Sequence, residues 1–191
     1  MTRAIHPIEV ESYAILRARV DTSALPPLTR SVVERVVHAS ADTAYVHDLV
    51  TDEESLRRGQ SALRGGAPLV VDAEMVRSGI PSYPSVCRIR QAVPAEGRTR
   101  SAQAFRDAYA EVGRGAVWAV GNAPTALFEL LALDAAPALV VGLPVGFVGA
   151  VEAKQALRES GLPAVSNRSE KGGSAVAAAA VNALLYIEVF G

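Results

Sequence analysis

Short runs of apolar residues recur along the chain, separated by longer stretches in which apolar positions return every three or four residues. The runs are 67–71 "APLVV", 86–90 "VCRIR", 116–120 "AVWAV", 138–142 "ALVVG" and 163–166 "PAVS". Runs of this length suit strands buried on both faces of a parallel sheet. The stretches 8–19, 29–40, 53–64, 101–113, 122–133, 147–159 and 173–187 carry the helical repeat.

Strand alternating with helix predicts an α/β fold. It is a three-layer, doubly wound, mainly parallel sheet of about five strands with helices on both faces. Two helices precede the first strand and form an N-terminal helical pair packed on the sheet. No repeat, linker or low-complexity segment divides the chain, and 191 residues suit one domain over 1–191.

Open parallel sheets bind ligands at the carboxyl ends of their strands. The loops there are "DAEMV" (72–76), "GNAPT" (121–125), "GLPVGFVG" (142–149) and "NRSEKGGS" (167–174). Three contain glycine and open helices, so they present N–H groups and a positive dipole end to an anion. In any one loop, tight turns and close packing explain the glycines better. Several on one edge, with Arg168 and Lys171 beside the last and Arg98 and Arg100 in "GRTRSA" nearby, point to an extended ligand with several acidic groups. In the last loop, Arg168 or Lys171 and the N–H groups of Gly172, Gly173 and Ser174 are expected to grip one carboxylate. Residues 142–149 read GxxxGxxG, with a longer first gap than the dinucleotide fingerprint, and no Walker A pattern occurs. A nucleotide is therefore a weak expectation.

The stretch "LTRSVVERVVHASAD" (28–42) is amphipathic. Val32, Val33, Val36 and Val37 share one face; Ser31, Arg35, His38 and Asp42 run down the other. A histidine on such a face is ordinarily just exposed. His38 differs in having Arg35 one turn before it. A neighbouring cation disfavours the imidazolium and bound carboxylates favour it, which makes His38 a candidate proton donor. No Cys or His set has metal-ligand spacing, and there is no nucleophile elbow. Asp72 and Glu74 stand two apart at a strand end, where an acid pair and helix capping by Asp72 are equally open readings.

Composition narrows the classes. Half of the residues are hydrophobic, 20% are charged and the formal net charge is −1, so the chain is not a general nucleic-acid binder and any anion site is local. The single cysteine, Cys87, excludes an internal disulfide and fits a reducing cytosol. The N-terminal stretch lacks a secretory apolar core, and 135–151 is too short and too rich in Pro and Gly for a membrane span. The expectation is a cytoplasmic protein with neither membrane nor nucleic-acid partner.

Four sets of segments together resemble one family. They are "ESYAILRA" (11–18) with "RVVHA" (35–39), "GAPLVVDAEMV" (66–76), "GNAPTALFELL" (121–131), and "GLPVGFVGAVEAK" (142–154) with "KGGSAVAAAAVNAL" (171–184). From about residue 8 to 184 the chain is similar to the precorrin-8X methylmutases, including their cobalt-precorrin-8 branch. The resemblance implies an isomerase of cobalamin biosynthesis. It moves a methyl group from C-11 to C-12 of the corrin macrocycle, giving hydrogenobyrinate or, in the cobalt branch, cobyrinate. It implies no cofactor, no protein-bound metal and a homodimer. The family's catalytic histidine falls on His38, as proton donor in a sigmatropic shift, and its substrate-site serine and arginine fall on Ser12 and Arg35. Asp72, Thr99, Arg100, Ser101, Asn122 and Thr125, with Arg168, Lys171, Gly172, Gly173 and Ser174, complete the expected substrate site. The segment 79–97, the loop "SNRSE" and the tail "YIEVFG" (186–191) depart from the family pattern without touching Ser12, Arg35 or His38.

A corrinoid is large, flat and fringed with carboxylates. Its site needs an apolar floor, spread basic groups and one proton donor. An intramolecular shift needs neither nucleophile nor metal, and holding the ring in place is much of the work. A carrier that binds a tetrapyrrole without turning it over is the alternative.

Overall fold

The computed structural model describes residues 6–186, and there every expected strand enters one sheet. The strands are β1 (Leu49–Val50), β2 (Leu69–Val71), β3 (Ser85–Val86), β4 (Val117–Val120), β5 (Leu139–Gly142) and β6 (Ala164–Asn167). Their order is β1-β6-β5-β4-β2-β3, all neighbours parallel except β1 with β6. The sheet thus has six strands rather than about five. The extra one, β1, is two residues long and shows no apolar run. β3 is shorter than expected, because "VCRIR" leaves the sheet after Val86.

The helices are α1 (Pro7–Arg19), α2 (Pro27–Ser40), α3 (Tyr45–Asp48), α4 (Glu53–Arg64), α5 (Glu74–Ser78), α6 (Arg100–Val112), α7 (Pro124–Ala132), α8 (Ala150–Glu159) and α9 (Ser174–Leu185). Each helical stretch read from the sequence forms within three residues of its expected ends. The short α3 and α5 are too brief to show a period. Proline opens α1, α2 and α7, where its missing N–H costs nothing. Residue 187 and the rest of the tail lie outside the described residues.

Alternation along the strands divides the core in two. Leu69, Val71, Val117, Ala119, Leu139, Val141 and Val165 face the layer of α2, α4, α5 and α9. Val70, Trp118, Val120 and Val140 face α6, α7 and α8. Burial on both faces is why these runs carry no polar alternation. α1 packs on α2, as the N-terminal pair, but the pair does not pack directly on the sheet as expected, because α9 lies between α2 and the strands.

The winding reverses between β2 and β4, the point where such sheets open a ligand crevice. Here the protein fills that crevice itself. Asp72, directly after β2, accepts N–H bonds from Gly121 (3.0 Å), Asn122 (2.8 Å) and Ala123 (2.7 Å), just before α7. The side chain is buried, which pushes its carboxyl up against the downward pull of those bonds.

α9 lies between the sheet and α2, flanked by α4 and α5, which themselves touch the strands. Val176, Ala177, Ala178, Ala179, Ala180, Val181, Ala183 and Leu184 are all buried there. Larger side chains have no room. A Cβ on Gly121 would stand 2.8 Å from Ser174 Cα, and one on Gly79 would stand 2.6 Å from Ala178 Cβ. α2 runs antiparallel to α9: Ser31 lies against Ala183 (Oγ to O 3.5 Å), and Asp42, just past α2, meets Lys171 just before α9. Ala177→Leu is expected to cost about 1–3 kcal/mol by overpacking. Urea unfolding checks this: the midpoint should fall with an unchanged slope, and a wild-type midpoint would contradict the packing account.

Candidate active site

The amphipathic α2 turns Val32, Val33, Val36 and Val37 inwards. Arg35 and His38 are left half-buried on its other side, towards α1 and α9. An open cleft of about 580 Å³ lies there. Ile8, Glu9 and Ser12 of α1, Arg35, His38 and Ala39 of α2, and Ala175, Ala178, Ala179 and Asn182 of α9 line it, with Gly79 closing one side. The small side chains of α9 give a flat apolar floor, and the polar groups gather on α1 and α2.

His38 is held from two directions. Its Nδ1 stands 2.9 Å from Ser12 Oγ. Its ring stacks on Tyr13 with centroids 4.8 Å apart and planes 15° from parallel. A hydroxyl both donates and accepts, so Ser12 serves either tautomer. With Nδ1 engaged, Nε2 is the nitrogen that remains for a ligand. Tyr13 is buried, which raises its hydroxyl above the ordinary value while Arg35 pulls the other way. It therefore stays neutral at physiological pH and offers a flat face to either form of the imidazole. Arg35 also lies over the Tyr186 ring, 5.6 Å from its centroid. A smaller recess of about 110 Å³ between α1 and α2 reaches Ser12 and His38 from behind.

One buried carboxylate clamps α1 to α2. Glu34 accepts from Arg17 Nη2 of α1 at 2.8 Å, from Arg30 Nε at 2.9 Å and from Thr22 Oγ1. Burial pushes its carboxyl up, but the bonds from Arg17, Thr22 and Arg30 outweigh it and hold it below the ordinary value. Ser12 and His38 belong to different helices, so their contact depends on this clamp.

The other residues expected at the site fall into two groups. Thr99 and Thr125 meet at 2.8 Å between hydroxyl oxygens. They line a separate recess of about 340 Å³ on the α6–α7 side of the sheet, with Glu96, Arg98 and Glu129. Arg100 and Ser101 begin α6 beside it, while Asn122 gives its N–H to Asp72. The loop before α9 holds the second group. Arg168 N–H donates to Asp48 Oδ1 (3.0 Å), Lys171 Nζ to Asp42 Oδ2 (2.6 Å) and Gly173 N–H to Leu143 O (2.9 Å). A Cβ on Gly172 would fall 2.3 Å from Leu143 O, so close approach to the β5 loop requires that glycine. Ser174 opens α9. The structure thus brings Ser12, Arg35 and His38 into one cleft, ties the 168–174 group to α2 through Lys171, and leaves the Thr99 group on the opposite layer. Neither local reading of Asp72 and Glu74 holds: α5 begins after Ala73 with no side-chain cap, Asp72 turns instead to the N–H groups of 121–123, and Glu74 faces Arg77 and Arg90.

Tyr13, Asn182 and Lys154 escaped the sequence reading. Tyr13 is hidden beside Ser12 within the quoted segment. Lys154 had a usable signal, since it falls in phase with Ala150, Ala153 and Leu157 on the buried face of α8.

With this geometry in hand, likeness to known proteins can be placed on it. The family model described as precorrin-8X methylmutase matches residues 7–187. The chain belongs to the precorrin-8X methylmutase family. A precorrin-8X methylmutase of Pseudomonas aeruginosa is 43% identical over 91% of this chain and 91% of its own. A cobalt-precorrin-8 methylmutase of Salmonella typhimurium is 39% identical over 94% and 93%. The crystal structure of precorrin-8x methyl mutase from Thermus thermophilus superposes with a TM-score of 0.84 at 35% identity, covering 94% of this chain and 96% of that one. Membership makes the chain an isomerase of cobalamin biosynthesis. No helix among the described residues is long and apolar enough to cross a membrane.

Glu34 offers a test of the clamp. The folded carboxyl binds a proton less readily than the unfolded one. Its stabilisation is therefore present above the ordinary value of 4.5 and is lost as pH falls through the lower folded value. Glu34→Gln is expected to cost about 3 kcal/mol at neutral pH and to flatten the acid limb of thermal stability. Melting curves between about pH 3 and pH 7 check this; parallel limbs in the two proteins would contradict it.

Proposed function

We propose that the cleft binds precorrin-8X, or its cobalt-bearing counterpart, and that His38 delivers the proton that sets off the methyl shift from C-11 to C-12. The observation that carries this reading is the Ser12–His38 contact at 2.9 Å on the wall of a cleft that also holds Arg35. The alanines of α9 supply an apolar floor for a flat ring, and Arg35 supplies a cation for a peripheral carboxylate. Ser12 accepts the Nδ1 proton when the imidazole is charged, which leaves the Nε2 proton for the substrate. Protonation draws electron density from the ring and lets the C-11 methyl bond break as the C-12 bond forms. An isomerisation conserves atoms, so a proton must be lost afterwards, and the neutral His38 is the base at hand.

The loop residues Arg168, Lys171, Gly172 and Ser174 are read as a further carboxylate corner, linked to α2 by Lys171, while the N–H of Gly173 is spent on Leu143 O. Thr99, Arg100, Ser101, Asn122 and Thr125, with Asp72 behind them, are read as a more distant part of the substrate surface. We also read the chain as a single domain over 1–191, cytoplasmic and homodimeric. Val145, Phe147 and Val148 favour the dimer: they stand exposed together on the loop after β5, Phe147 at 96%.

His38→Ala is expected to lower kcat by about 10²–10⁴-fold and Ser12→Ala by about tenfold, the worth of one hydrogen bond. Visible spectra of turnover, with circular dichroism as a folding control, check both. Unchanged turnover by folded His38→Ala would contradict the role; an unshifted substrate spectrum with the wild type would mark a carrier instead.

A further inference from the structure

Lys154 is fully buried on α8, among Ala150, Ala153 and Leu157. A lysine survives there only if its ammonium is satisfied. Nζ donates to Asn167 Oδ1 at 3.0 Å, to Lys171 O at 2.8 Å and to Ser169 O. Asn167 ends β6, and Ser169 and Lys171 belong to the short loop that follows it to α9. A neutral amine has two N–H groups and cannot serve three acceptors. Burial lowers the pKa to about 8, with Asp48 and Glu170 opposing and Arg158 assisting, so the group is charged at neutral pH. Asp48 completes the knot from the other side. It accepts from Asn167 Nδ2 (2.8 Å) and from the N–H groups of Arg168 (3.0 Å) and Ser169 (2.9 Å). Oxygens converge on the ammonium as they would on a bound cation.

The loop wound on this ammonium has two outlets. Lys171 is tied to Asp42, one turn beyond His38. The chain then enters α9, whose Ala175, Ala178 and Ala179 floor the cleft. Lys154 itself does not line that cleft. We propose that Lys154 is a positioning residue for the methylmutase site, an internal cation that sets the start of α9 and the end of α2 and so holds the substrate's resting place in register with His38. The proposal rests on the reading of the cleft as the substrate site.

The test is steady-state kinetics on precorrin-8X with Lys154→Met, which keeps the bulk, and Lys154→Ala, which leaves the oxygen-lined space empty. Lys154→Met should raise KM at least tenfold while kcat falls less than threefold. Lys154→Ala should show the same loss, and added propylammonium should restore most of its KM but leave Lys154→Met unchanged. A wild-type KM in either folded variant overturns the proposal, and so does a loss in Lys154→Ala that propylammonium does not relieve. If neither variant folds, Asp42→Asn carries the test: cutting the tie between loop and α2 should raise KM about fivefold, and a wild-type KM overturns the proposal. His38→Ala separates the two readings. Full kcat there removes the site itself, whereas lost kcat there with a wild-type KM in the Lys154 variants removes only this inference.

Discussion

The site depends on how closely α9 lies between the sheet and α2. Its buried side chains are alanines, with Val176, Val181 and Leu184 among them, and glycines stand where it approaches the β4 loop and the end of α5. Small residues let two helices and a sheet share one narrow layer. That closeness has a second effect. Beside α1 and α2, the small side chains of α9 leave an open floor. Ala175, Ala178 and Ala179 line the cleft along one face of the helix, while Ala177, Ala180 and Ala183 are buried beside them.

Three buried ionic groups then hold the parts in place, each by joining segments distant in sequence. Asp72 gathers the N–H groups of 121–123 and closes the switch-point crevice. Glu34 clamps α1 to α2. Lys154, with Asp48, winds the loop that leads into α9. The first closes the usual crevice of a doubly wound sheet, and the candidate cleft lies in a helical layer instead. The other two fix the helices that carry Ser12, His38 and the floor. Buried charges of this kind are costly when unpaired, so they specify one arrangement more than they add stability.

Much of this is legible in the amino-acid sequence. Uniform apolar runs such as "AVWAV" have one good physical reading, a strand covered on both faces. The valine face of 28–42 placed Arg35 and His38 on the opposite side, which is where they stand. The glycine loops were also placed on one edge of the sheet, but their roles were not readable. Gly121 serves the approach of α9 and Gly172 the approach of the β5 loop, and both are contacts between segments far apart in sequence. Ser12 could be matched to the family, but its bond to His38 spans 26 positions and two helices. Asp72 could cap or catalyse on local pattern alone; only the fold brings 121–123 to it. Thr125 and His38 both lie on segments with family character, yet the sheet separates their layers, and no one-dimensional pattern records which layer a helix joins.

On the proposed mechanism, the chemistry asks little of the protein beyond position and one proton. A flat floor, a cation and a histidine steadied by Ser12 and Tyr13 meet that demand. The most direct measurement is a crystal structure of the protein with its corrinoid product bound. The account predicts the ring lying on Ala175, Ala178 and Ala179, with Nε2 of His38 within about 3.5 Å of the C-11/C-12 edge. A ring seated in the Thr99–Thr125 recess, or one whose C-11/C-12 edge is turned away from His38, would contradict it.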